Sequence, residues 1–139
     1  KKMEIAHISF QLGKTYGNCP VVLILSGDEE KLSEEALAVC QQVKETLLKA
    51  DLENCTCMLY EEIVGAEETA GVLLSGNENQ DMEEEILPTF NDKENNISGF
   101  LNPIKQALQT AKTRTNNLIC IVCGASSFMF LKNHFSPTN

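Results

Sequence analysis

Two uninterrupted apolar runs, residues 21–25 (Val-Val-Leu-Ile-Leu) and 118–123 (Leu-Ile-Cys-Ile-Val-Cys), constrain this chain more than any other feature. Neither shows the polar–apolar alternation of a strand with one face in water. Each therefore reads as a strand covered on both faces, the environment of a parallel sheet between helices. Between them, Leu32, Ala36, Val39, Cys40, Val43 and Leu47 recur at steps of three and four. That spacing predicts an amphipathic helix, opened by Ser26 or Asp28 as a cap. Residues 55–60 read as a further strand, and residues 70–74 as another strand candidate. Residues 3–10 have no decisive period and read as a short strand or a helical turn. Asn102-Pro103 reads as a helix start, with Ile104, Ala107, Leu108 and Ala111 forming its apolar stripe. Phe128, Met129, Phe130 and Leu131 read as a terminal helix or strand docked on the core. The predicted fold class is α/β: one layered domain over residues 1–139, with a mainly parallel or mixed sheet flanked by helices.

Charge is unevenly placed. Residues 61–94 hold eleven acids against the single base Lys93, a local net of −10 in a chain whose total is −9. The rest of the chain is thus nearly neutral. The acidic stretch reads as an insertion between the second strand and the second long helix. Residues 77–96 are expected to be a mobile acidic loop, with a helical turn at 82–87 ended by Pro88. Its glutamates are expected to hang in solvent without chemical duty. No run approaches the roughly 20 apolar residues of a membrane span, so no membrane partner is predicted. Position 1 is Lys, not Met, which reads as a fragment of a longer protein.

Six cysteines are present. Cys40 falls on a helical stripe and Cys120 within the most apolar strand, where a free thiol behaves as a small hydrophobe. Reduced thiols place the chain inside the cell, in cytoplasm or nucleus. A zinc site from Cys55, Cys57, Cys120 and Cys123 is geometrically disfavoured. Alternation along a strand points Cys55 and Cys57 together but Cys120 and Cys123 to opposite faces. Gly13-Lys14-Thr15 lacks the earlier glycine of a phosphate-binding loop, since that position is Ile8. The two histidines, His7 and His134, lie near opposite ends and supply no base for a nucleophile. No catalytic residue, metal ligand set or cofactor is predicted.

Three groups of residues remain as candidate contacts. Phe128, Phe130 and Phe135, or an edge strand, form the expected surface for a protein partner or for self-association. Lys105, Lys112 and Arg114 would serve an RNA partner, a reading disfavoured by the neighbouring acids. Lys93-Glu94-Asn95 spells a KEN box and resembles the degron read by the anaphase-promoting ubiquitin ligase.

Residues 21–27 (Val-Val-Leu-Ile-Leu-Ser-Gly), the helix from Leu32 and the strand at 55–60 resemble the opening of the anticodon-binding-like α/β domain of class II aminoacyl-tRNA synthetases. Residues 104–108 (Ile-Lys-Gln-Ala-Leu) and 118–124 are similar to that family's next helix and strand. The resemblance covers under half of the chain. It implies an RNA-associated or accessory module. Family members also recur as regulatory interaction modules, and that role implies a non-catalytic protein-binding domain of a regulatory or scaffold protein. Generic doubly wound and von Willebrand-type folds share the same pattern, although no Asp-x-Ser-x-Ser metal site is present.

Overall fold

In the computed structural model, the strand at Leu118–Cys123 is the centre of a five-stranded sheet. The structure describes residues 6–11, 19–26, 31–46, 52–76, 82–91, 93, 96–114 and 118–135. The elements run β1 (Ala6–Gln11), β2 (Pro20–Leu25), α1 (Glu34–Thr46), β3 (Cys55–Glu61), α2 (Val64–Leu74), β4 (Glu83–Leu87), α3 (Ile97–Lys112), β5 (Leu118–Cys123) and α4 (Ala125–Phe135). Strand order is β1-β2-β5-β3-β4. The four strands β2, β5, β3 and β4 are parallel, and β1 joins β2 antiparallel at one edge. The predicted α/β class with a mainly parallel sheet is the observed one.

Hydrophobic burial explains the layering. Every residue of β5 is buried, as the absence of alternation requires. On one face Leu23, Leu59 and Ile121 pack against Phe100, Ile104 and Leu108 of α3 and Phe128, Leu131 and Phe135 of α4. On the other, Ile24, Met58 and Val122 pack against Cys40 of α1 and Ala66 and Leu73 of α2. Polar ties lock α1 to α2. The Glu68 carboxylate accepts from the Leu32 amide at 2.8 Å, and Lys44 donates to the carbonyls of Val72 and Ser75 where α2 ends. A cation there complements the negative end of the helix dipole.

Several expectations change. α1 begins at Glu34, capped by Ser33, whose hydroxyl accepts from the Ala36 amide at 3.1 Å. Ser26 is instead buried at the end of β2, and Asp28 lies outside the described residues. Leu32, Ala36 and Cys40 of the predicted stripe are buried, whereas Val39 is exposed on its flank. Residues 70–74 form the last turns of helix α2 rather than a strand, because Gly65, Ala66, Thr69, Ala70 and Leu73 make one buried face of mostly small residues. The turn expected at 82–87 is strand β4, held by its parallel register with β3. The acidic stretch thus supplies a helix and a strand of the fold rather than an appendage. α3 begins at Ile97, five residues before the expected start, and runs through Pro103. Burial of Phe100 and Leu101 stabilises that extra turn, and the carbonyl that Pro103 leaves unpaired belongs to exposed Gly99.

Candidate functional site

Ligands of open α/β sheets gather at the carboxyl ends of the strands, where neighbouring connections leave to opposite faces. Here β2 and β3 connect to helices on one face, and β4 and β5 to helices on the other. Because the order is β2-β5-β3-β4, every junction between parallel strands is such a crevice.

Glu61, the last residue of β3, fills two of them. Its side chain is buried, with 3 % of its surface exposed. Oε1 accepts from the Gly124 amide at 2.9 Å, and Oε2 accepts from the Ser127 hydroxyl at 2.7 Å and the Phe90 amide at 2.8 Å. One carboxylate therefore binds the end of β5, the first turn of α4 and the loop after β4. A negative group at the start of α4 is also favoured by the helix dipole. The β4–α3 loop is fastened further by Thr89, which donates to the Glu62 carbonyl at 3.0 Å. Asn96 accepts from the Asn91 amide at 3.0 Å and donates to the Thr89 carbonyl at 2.9 Å. The expectation that the acids of 61–94 are all solvated fails at Glu61, because backbone amides brought together by the fold replace water around it. With both oxygens engaged, Glu61 acts as a clamp.

The third crevice, between β2 and β5, holds Ser26. Its amide donates to the Cys123 carbonyl at 3.0 Å, while its buried hydroxyl has no partner among the described residues. The nearby start of α4 is already served by Glu61.

All six cysteines are buried thiols outside any disulfide. Cys55 and Cys57, expected on one face, lie on opposite faces. A bulge sets two residues of β3 against one of β5, with Cys55 paired to Leu118 and Cys57 to Ile119, and this reverses the alternation. Cys120 and Cys123 do face opposite ways, as predicted. Burial pushes the Cys19 and Cys40 thiols up to about 11 and Cys57 to about 12; Cys123 is also raised, by burial first and then by Glu61. The reactive thiolate is correspondingly scarce at neutral pH. In native protein at pH 7.5 we expect an aromatic disulfide reagent to modify these thiols slowly, and all six at once in denaturant. Rapid stoichiometric modification of the native protein would contradict the packing. Among the described residues no group of three or more His, Cys, Asp or Glu side chains is placed to hold a metal ion. No helix among them is long and apolar enough to cross a membrane.

The candidate contact residues separate. Phe128 and Phe135 are buried with Leu131 at helical spacing against the sheet, so they serve the core and are not open to a partner. Phe130 is half-buried. It stacks on Phe90 with centroids 4.7 Å apart and on exposed His134 at 5.8 Å. Burial, and then the charge of Lys105, lowers the His134 pKa. A base with a depressed folded-state pKa binds fewer protons folded than unfolded. Its contribution to stability therefore falls as pH drops through the ordinary imidazole range. We expect an NMR titration of His134 to give a midpoint below that of a free imidazole, rising on Lys105→Gln. Lys105 and Lys112 are exposed two turns apart on α3, but Arg114 is paired with Glu83 of β4 at 3.3 Å. Lys93 is exposed, and Glu94 and Asn95 of the KEN tripeptide lie outside the described residues, as does Gly13-Lys14-Thr15.

What sequence reasoning missed is Glu61, Phe90 and the edge strand β4. The one available signal for Glu61 was an acid directly ending an apolar strand. The chain matches no protein-family model, no curated protein and no solved structure.

Proposed function

We propose that this chain is a non-catalytic protein-interaction domain of a larger intracellular regulatory or scaffold protein, meeting its partner along the open edge of the sheet at β4. The observation that carries the reading is Glu61. Two of the three crevices where a doubly wound sheet would take a small ligand are occupied by the chain's own carboxylate and its three donors. That leaves outer surface as the larger area for recognition. There β4 presents Glu83, Glu84, Glu85 and Ile86, all exposed. Six buried thiols outside any disulfide support an intracellular setting.

An RNA-associated role is the second reading, favoured by the two-turn spacing of Lys105 and Lys112. Against it, the third base is held by Glu83 beside an acidic strip that repels phosphate. Immobilised protein challenged in parallel with a peptide-display library and a random RNA pool separates the two. Enrichment of a peptide class without RNA retention is expected. Retention of RNA that falls steeply with salt and is lost on Lys105→Gln with Lys112→Gln would overturn the proposal, as would the absence of any enriched peptide class.

A further inference from the structure

Resting on that reading, we infer that β4 receives an extended basic segment of the partner as an added strand. The backbone defines the slot. In the ladder the Leu87 carbonyl faces β3, where it accepts from the Glu62 amide at 2.9 Å. The N–H and C=O of one residue in a strand point to the same side, and the sides alternate along the chain. Glu83, Glu85 and Leu87 therefore bond towards β3, and Glu84 and Ile86 direct their N–H and C=O groups outwards. An outward row of this kind is a template for another strand.

The side chains select which strand fits. Glu83 and Glu85 share a face with Leu87, which packs in the α3–α4 core, and Glu84 and Ile86 lie on the opposite face. An incoming strand thus meets two carboxylates on one face and a carboxylate beside an apolar group on the other. Ile86 is 54 % exposed, an uncovered β-branched side chain on an edge otherwise guarded by charge. The chain itself shows what the carboxylates accept. Arg114 reaches from beyond the end of α3 to place its guanidinium on Glu83. The fitting occupant is a segment with Lys or Arg at alternate positions and an aliphatic residue opposite Ile86.

Edge glutamates also defend a sheet against unwanted pairing, and the defence is selective: it repels acidic strands and another copy of this edge, and a neutral strand would desolvate the carboxylates without compensation. A basic strand alone turns the same charges into attraction.

The test uses the full chain and a labelled synthetic peptide alternating lysine with valine, followed by fluorescence anisotropy. Binding is expected at about 50 mM salt and is expected to weaken at about 500 mM, where exposed pairs are screened. Ile86→Pro removes an outward amide, which an edge strand tolerates, together with the exposed isoleucine side chain. It should leave the melting temperature nearly unchanged and abolish binding. Glu85→Lys should weaken binding about tenfold, the scale of reversing a cross-strand charge pair, and Glu84→Lys, on the face that meets valine, should weaken it less. Arg114→Gln should strengthen it severalfold by removing the internal competitor. The same peptide methylated on alternate amides should not bind. Undiminished binding of the methylated peptide, or undiminished binding by a folded Ile86→Pro protein, would overturn strand addition while leaving a protein-binding role intact. Failure of the unmodified peptide to bind would overturn the inference outright, and the display selection above decides separately whether the wider reading falls with it.

Discussion

Replacing Glu61 with alanine is expected to destabilise the protein by about 4 kcal/mol, a large share of the roughly 5–15 kcal/mol that holds a domain together. The figure follows from what is left behind. The Gly124 amide, the Phe90 amide and the Ser127 hydroxyl all point at this carboxylate, and alanine gives none of them a partner. Buried donors left unpaired cost about 1–3 kcal/mol each, and water entering the vacated space recovers part of it. Glu61→Gln should cost less, about 2 kcal/mol, because one acceptor oxygen survives while the new NH₂ faces donors. Urea unfolding followed by circular dichroism gives both numbers from the shift in midpoint. A loss below about 1 kcal/mol for Glu61→Ala would mean that the clamp contributes little and the crevice is held by packing alone.

Phe100→Ala should be comparably severe, at about 4 kcal/mol. Phe100 has no exposed surface and lies at the centre of a ring cluster. Its centroid is 5.0 Å from Phe90 in a tilted arrangement and 6.3 Å from Phe130, edge to face. Removing the ring opens a cavity under the β4–α3 loop, the loop whose Phe90 amide Glu61 binds. Phe100→Leu should recover more than half of the loss. Because the two sites share Phe90, Phe100→Ala and Glu61→Ala should not add, and a double-mutant cycle should give a coupling above about 0.5 kcal/mol. Strict additivity would show that the loop is fastened independently at its two ends.

The parts of the fold that were legible in the sequence are those whose own composition carries the signal. β2 and β5 are apolar on both faces because both faces are covered, and α1 keeps its stripe because one side meets the sheet. α2 hid because its buried positions are mostly Gly, Ala and Thr, which a hydrophobicity pattern does not register, leaving Val72, Leu73 and Leu74 to imitate a strand. Ser75-Gly76 was the overlooked stop: Gly76 has φ +71°, the left-handed conformation that closes a helix. β4 is rich in glutamate, a poor strand former, and owes its conformation to β3 beside it. Glu61 was least legible of all. Its partners are 29, 63 and 66 residues distant, so nothing near it in sequence announces that three donors converge there. The surface aromatics illustrate the reverse case. Phe128 and Phe135 read as spare apolar surface only while the helix that turns them inwards was undecided.

The place of β5 has a consequence for how the chain is made. It is the last strand in chain order among those described, yet it lies between β2 and β3. A growing polypeptide on the ribosome can form α1, pair β3 with β4 and dock α1 on α2, but the two parts of the sheet share no strand pairing until residue 123 has emerged. Until then β2 and β3 each expose an apolar flank shaped for a neighbour still to be synthesised, which makes the nascent chain a natural client for chaperones.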